Sequence, residues 1–124
     1  MEQPVRPTPV EDTAWIVLTF ETSNDNKPVD EFIKNQQPQA RAKIAHAVRL
    51  LRQHGNRLGM PHSKALGSGL YELRIRGKEE LRILYGFMTQ KTIYLLHAFK
   101  KQTQETPQKE LNLALQRIKN LTST

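Results

Sequence analysis

Gly69-Leu70-Tyr71-Glu72-Leu73-Arg74-Ile75-Arg76 is the stretch whose pattern decides the fold class. Apolar and charged residues alternate along it. In a strand, Tyr71, Leu73 and Ile75 therefore share one face, and Glu72, Arg74 and Arg76 share the other. The period of two continues downstream. Leu81 to Phe87 and Thr92 to Phe99 read as two more strands. The short connections, Gly77 to Glu80 and Met88 to Lys91, predict antiparallel hairpins.

Upstream, Asn56 to Gly69 holds three glycines and one proline and reads as a loop. Before it the apolar period is helical. Pro28 suits the first position of a helix, where its missing N–H costs nothing, and Val29, Phe32 and Ile33 form a short stripe. Pro38 ends that helix and opens the next. The second stripe is Ala40, Ile44, Ala47, Val48 and Leu51, with Gly55 as the stop. Ala14 to Phe20 (AWIVLTF) is β-rich and nearly all apolar, which predicts a buried strand. Beyond the last strand, Thr106 predicts an N-cap with Pro107 at the first helical position. Leu111, Ala114, Leu115, Ile118 and Leu121 form the apolar face of that helix. The order is β-α-α-β-β-β-α, an α+β domain with helices packed on a mostly antiparallel sheet. It takes residues 14–124. Residues 1–13, with three prolines, read as a loose N-terminal arm.

A chain of 124 residues makes one domain. The absence of cysteine excludes disulfides, thiolate nucleophiles and Cys-ligated zinc, and suits a reducing cytosol. The apolar runs are too short to span a membrane, and the start lacks a signal-peptide pattern, so a cytoplasmic protein without a membrane partner is expected. Charge is distributed unevenly. Residues 1–31 hold two basic and seven acidic side chains; residues 32–124 hold 17 basic and five acidic. From Phe32 to Tyr71 there is no acid at all. Such a field attracts polyanions, with nucleic acid the default partner.

The strand pattern gathers the basic residues further. If the apolar sets face the helices, Arg74, Arg76 and Arg82 converge on an exposed sheet face, and Lys100 and Lys101 follow at the end of the last strand. Clustered guanidiniums repel one another and make most sense with a phosphate between them. The competing reading is that Glu72, Glu79 and Glu80 neutralise them as surface ion pairs. His97 has the parity of Ile93 and Leu95, which suits a histidine at the edge of the core; its nearness to Lys100 also leaves it a candidate for chemistry. Tyr71, Tyr85, Tyr94 and Phe99 are able to stack on bases or to serve the core. No metal-ligand spacing or cofactor motif is present, and no Ser/His/Asp order or acidic pair points to an ester or glycoside hydrolase.

Several blocks in order resemble one family. They are Leu58 to Gly67, Gly69 to Arg76, Leu81-Arg82-Ile83-Leu84-Tyr85, Leu95 to Thr103, and Thr106-Pro107. Across roughly residues 14–121 the chain resembles the RelE/HigB superfamily of bacterial type II toxins, in the phage-derived HigB-like branch. The resemblance implies a RelE-like fold and ribosome-dependent, metal-independent cleavage of mRNA. In that chemistry the 2′-OH attacks the adjacent phosphate, giving a 2′,3′-cyclic phosphate and a 5′-OH. It implies Arg82 as the transition-state arginine, Arg74 as a basic position on the preceding strand, and Lys100 and Lys101 as the basic pair after the last strand. His97, Tyr85 and Lys101 stay open as the proton donor. Arg76, Lys64, Lys78 and Arg52 are the further candidates for RNA contact.

On this reading Arg82→Ala abolishes toxicity and leaves the fold intact. The resemblance also implies partners: the ribosome with its mRNA, and a helix-turn-helix antitoxin (HigA-like) from a neighbouring gene. The alternative is a non-catalytic module that binds nucleic acid or an antitoxin, an inactive relative of the toxin.

Overall fold

A computed structural model describes residues 14–123. The arm expected at residues 1–13 lies outside them. The elements are β1 (Ile16–Thr19), α1 (Pro28–Lys34), α2 (Pro38–His54), a short 3-10 turn (Gly55–Arg57), β2 (Ser63–Gly67), β3 (Leu70–Ile75), β4 (Leu81–Met88), β5 (Thr92–Lys100) and α3 (Gln108–Thr122). The chain is α+β. One sheet runs β1-β5-β4-β3-β2, with β1 parallel to β5 and the other neighbours antiparallel.

Both helix starts expected at prolines are present, since the ring presets φ where no N–H is needed. Gly55 ends α2 at φ 52°, a left-handed conformation that side chains resist. It is buried, and a Cβ there would overlap the Trp15 indole. Trp15 in turn packs edge-on against Phe87 with ring centres 5.2 Å apart, and its backbone N–H donates to the Arg52 carbonyl. Gly55→Ala is thus expected to cost about 3 kcal/mol, from backbone strain plus overpacking. Urea unfolding measures it; a loss below about 1 kcal/mol would mean that Trp15 moves aside freely.

The sheet has a core on each side. On one, Leu73, Ile83, Tyr85 and Ile93 meet Val29 of α1 and Ile44, Ala47 and Leu51 of α2. On the other, Phe20, Leu70, Leu84, Leu96 and Phe99 meet Ala114 of α3, with Leu111, Leu115 and Ile118 around it. The face that carries Arg82 is therefore partly roofed by α3 and is not an open surface.

Three expectations need correction. The stretch 14–20 is an edge strand, not a buried one: Ile16 and Leu18 are 53% and 42% exposed. Only the alternate residues, Val17 and Thr19, sit opposite core positions Ile93 and Leu95. The loop at 56–69 contains β2, an added strand on the far edge, so the order is β-α-α-β-β-β-β-α. Ser63-Lys64-Ala65-Leu66-Gly67 has weak β propensity and is held by pairing with β3. Thr106 is not the cap of α3; Pro107 occupies that position, and the Thr106 hydroxyl goes elsewhere.

Among the described residues, no helix is long and apolar enough to cross a membrane.

Candidate functional site

Register places two arginines side by side: Arg74 on β3 pairs directly with Arg82 on β4. Like charges so placed repel. Glu72 answers both, because strand alternation puts it on the same face as Arg74. Its Oε1 lies 3.7 Å from Arg74 Nε and 3.5 Å from Arg82 Nε. Its Oε2 accepts a 2.6 Å hydrogen bond from Thr106 Oγ1, which ties the start of α3 to the charge cluster. Glu72 is 2% exposed and Arg82 1%. The Nε atoms of Arg74 and Arg82 are buried and make no hydrogen bond. The expectation of an exposed arginine face therefore fails for Arg82, which is out of water beside the equally buried Glu72.

Above Arg82 the site opens. Arg82 Nη2 donates to Glu80 Oε1 at 2.7 Å, and Nη1 donates to the Leu81 carbonyl. Glu80 is largely exposed, and its carboxyl is held below the ordinary carboxylate value, first by the Arg82 hydrogen bond and then by its charge. Arg74, Glu80, Arg82 and Lys101, together with Gln102, Thr103 and Gln104, line an open cleft of about 550 Å³. Lys101 is fixed by its backbone N–H, which donates to the Glu80 carbonyl. Its ammonium is held below the ordinary lysine value by loss of water, and next by the charge of Arg82. An ammonium made more acidic beside two guanidiniums can hold a phosphate and can also give up a proton.

The other expected residues separate. Lys100 pairs in register with Leu81, on the opposite face, and its ammonium meets Glu79 Oε2 at 2.9 Å. His97 does not share the face of Ile93 and Leu95. A β-bulge between the pairs Leu84–His97 and Tyr85–Leu95 inserts Leu96 and turns His97 to the α3 side. There it bonds Glu110 of α3 and stacks on Phe99. It is near the cleft's face but does not line the cleft. Arg117 donates to the carbonyl of the bulged Leu96.

Tyr85 lies in the core on the α1–α2 side, hydrogen-bonded to Ser63, and burial raises its pKa; it does not face Arg82. Tyr71 stacks on Tyr85 at that same core. Of the further basic residues, Lys64 pairs with Glu72 at the sheet edge, while Arg76 and Lys78 are exposed beyond the end of β3. Arg52 ends α2, across the sheet from the cleft.

Sequence reasoning named Glu72, Glu79 and Glu80 as partners of the basic residues, which they are, but placed Glu72 at the surface, and it left out Thr106 as the partner of Glu72 and the loop Gln102 to Gln104 in the cleft lining. Glu72 did carry a signal, since it shares its face with the arginines. Its burial, on the face that α3 packs against, is what no local pattern reveals.

Comparison with curated proteins gives no match. One family model covers residues 31–119, a span that takes in Arg74, Arg82 and Lys101. The chain belongs to the phage-derived Gp49-like proteins (DUF891), relatives of the RelE/HigB-like type II toxins.

Proposed function

We propose that this chain is the toxin of a type II toxin–antitoxin system, a ribosome-dependent mRNA endoribonuclease. The family is associated with such toxins. The observation that carries the finer reading is the convergence of Arg74, Arg82 and Lys101 in one cleft. A phosphodiester bound there meets two guanidiniums and an ammonium, the charges its transition state needs. The 2′-oxygen forms its bond to phosphorus as the bond to the 5′-oxygen breaks. Lys101 gives its proton to the leaving 5′-oxygen. The 2′-OH proton goes to Glu80, the exposed carboxylate of the cleft. Glu80 is a weak base because Arg82 lowers its pKa, so most of the rate comes from positioning and charge. A ribosome that holds the message in place supplies that positioning.

One observation favours a non-catalytic relative: the outward nitrogen of Arg82 is already occupied by Glu80. In the catalytic reading the phosphate displaces that carboxylate. A toxin-like family implies an antitoxin partner in general. We assign that role to a helix-turn-helix (HigA-like) protein, acidic where it covers the cleft.

The test is to induce the chain alone in a bacterium, follow amino-acid incorporation, and map new RNA ends. The expected result is a rapid fall in incorporation, with 2′,3′-cyclic phosphate ends on translated messages. Normal incorporation with abundant, folded protein would overturn the catalytic reading in favour of the binding module.

A further inference from the structure

We infer that single-stranded RNA leaving the cleft continues past the end of β3 into two linked grooves against α2, where Lys43, Arg76 and Lys78 hold its phosphates. The inference rests on the proposed function for the identity of the ligand. Its geometry is independent of the catalytic roles.

Arg74 is the hinge of the path. It sits beside the chain just before the start of β2, with its backbone N–H on the His62 carbonyl and Nη1 on the Met60 sulfur, and lines both the cleft and a groove of about 420 Å³ on the α2 side. That groove has Ala47, Leu50 and Ile75 among its apolar lining, with Lys43, His46 and Arg76 among its polar residues. Lys43, Ile75 and Arg76 are shared with a second groove of about 670 Å³, which ends at Lys78. Three depressions thus share walls, and a cation stands at each shared wall. Cations spaced along a groove are what tracks the phosphate backbone of a single strand.

The charge is not spent inside the protein. Among the described residues, Lys43, Arg76 and Lys78 are exposed and take part in no ion pair. Glu79, the acid of the second groove, is engaged by Lys100. Lys43 stretches across to the backbone of Gly77, so α2 and the β3–β4 turn present their cations together. α2 has no acidic residue, and its first turn carries no compensating carboxylate. Continuity with the cleft through Arg74 favours a strand that runs along all three.

The experiment uses the full chain and fluorescein-labelled 2′-O-methyl oligoadenylates, which lack the nucleophile. Anisotropy gives Kd over a salt series for a trinucleotide and a dodecanucleotide. The variant is Lys43→Ala/Arg76→Ala/Lys78→Ala, all at exposed positions, with circular dichroism as the fold control. On the dodecanucleotide, the variant is expected to lose about two units of the log Kd against log salt slope, since each contact on a single strand contributes roughly 0.7. The trinucleotide should bind both proteins alike. Equal slopes on the dodecanucleotide would overturn the path, and the proposed function would stand if wild type still cleaves messages on ribosomes. Binding of an oligoglutamate peptide that the variant loses, with no RNA binding by wild type, would assign the grooves to an acidic protein and overturn the inference. If wild type binds no RNA and cleaves none, both readings fall.

Discussion

Arg82→Ala is expected to melt on the order of 10–20 °C below wild type, a loss of about 3–5 kcal/mol. Glu72 is buried, and Arg82 is the fully buried cation beside it. Removing the guanidinium leaves that carboxylate in a dry site, with the Thr106 hydroxyl, the more distant Arg74 Nε and the charge of Lys101 left to answer it. This reverses the reading from sequence, in which the variant keeps its fold. The double variant Arg82→Ala/Glu72→Gln should recover at least half of the loss, because the uncompensated charge is gone. Thermal melting followed by circular dichroism decides the matter. If Arg82→Ala melts within a few degrees of wild type, Arg82 is not the counter-ion of Glu72. Loss of toxicity in Arg82→Ala is thus no evidence of catalysis by itself. Arg82→Lys is the better probe, since it keeps the charge and removes the fork that reaches Glu80 and the Leu81 carbonyl together.

Lys101→Ala is expected to lower mRNA cleavage on ribosomes by roughly a hundredfold to a thousandfold while leaving the fold intact. Lys101 is only partly buried, and although its charge acts on buried Glu72, that carboxylate keeps Arg82 and Thr106 beside it. The pH profile separates its two possible contributions. An acid must be protonated to act. Because the ammonium sits below the ordinary lysine value, activity should fall as pH rises through that lowered value, in a range where an ordinary lysine is still charged. Glu80, also displaced downward, must be ionised, so the acid limb should lie below the ordinary carboxylate range. Lys101→Arg keeps the cation and moves its titration out of reach. An arginine variant with full activity and an unchanged alkaline limb would show that the lysine only binds charge and donates no proton.

Local chemistry made much of this legible in advance. Pro28, Pro38 and Gly55 mark helix ends because their backbone preferences act without help from distant residues. Alternation along β3 and β4 assigned faces correctly, so Arg74 and Arg82 could be placed on one face from the sequence alone, while their direct pairing is a matter of register. Contacts between distant segments were not legible. β2 is a strand only because β3 offers its edge. Glu72 and Arg82 are buried on the face that α3 packs against, and the Thr106 that bonds Glu72 comes from a segment distant in sequence. Ile16 and Leu18 look like core residues in sequence, yet they sit at the rim of the sheet beyond their covered neighbours.

The bulge at Leu96 has a consequence for the twin lysines at the end of β5. Each residue past it is out of step with the first half of the strand, so Lys101 is delivered to the cleft and Lys100 to the opposite side. Take out a residue past the bulge and the two exchange places, with neither lysine altered, whereas taking out Leu96 itself heals the ladder and leaves both where they are. Which of the two lysines lines the cleft is thus written as a reading frame, in the residues between the bulge and Lys101 itself. Insertions and deletions in this strand, which leave every functional residue in the sequence, can therefore silence or re-aim the cleft as completely as a substitution.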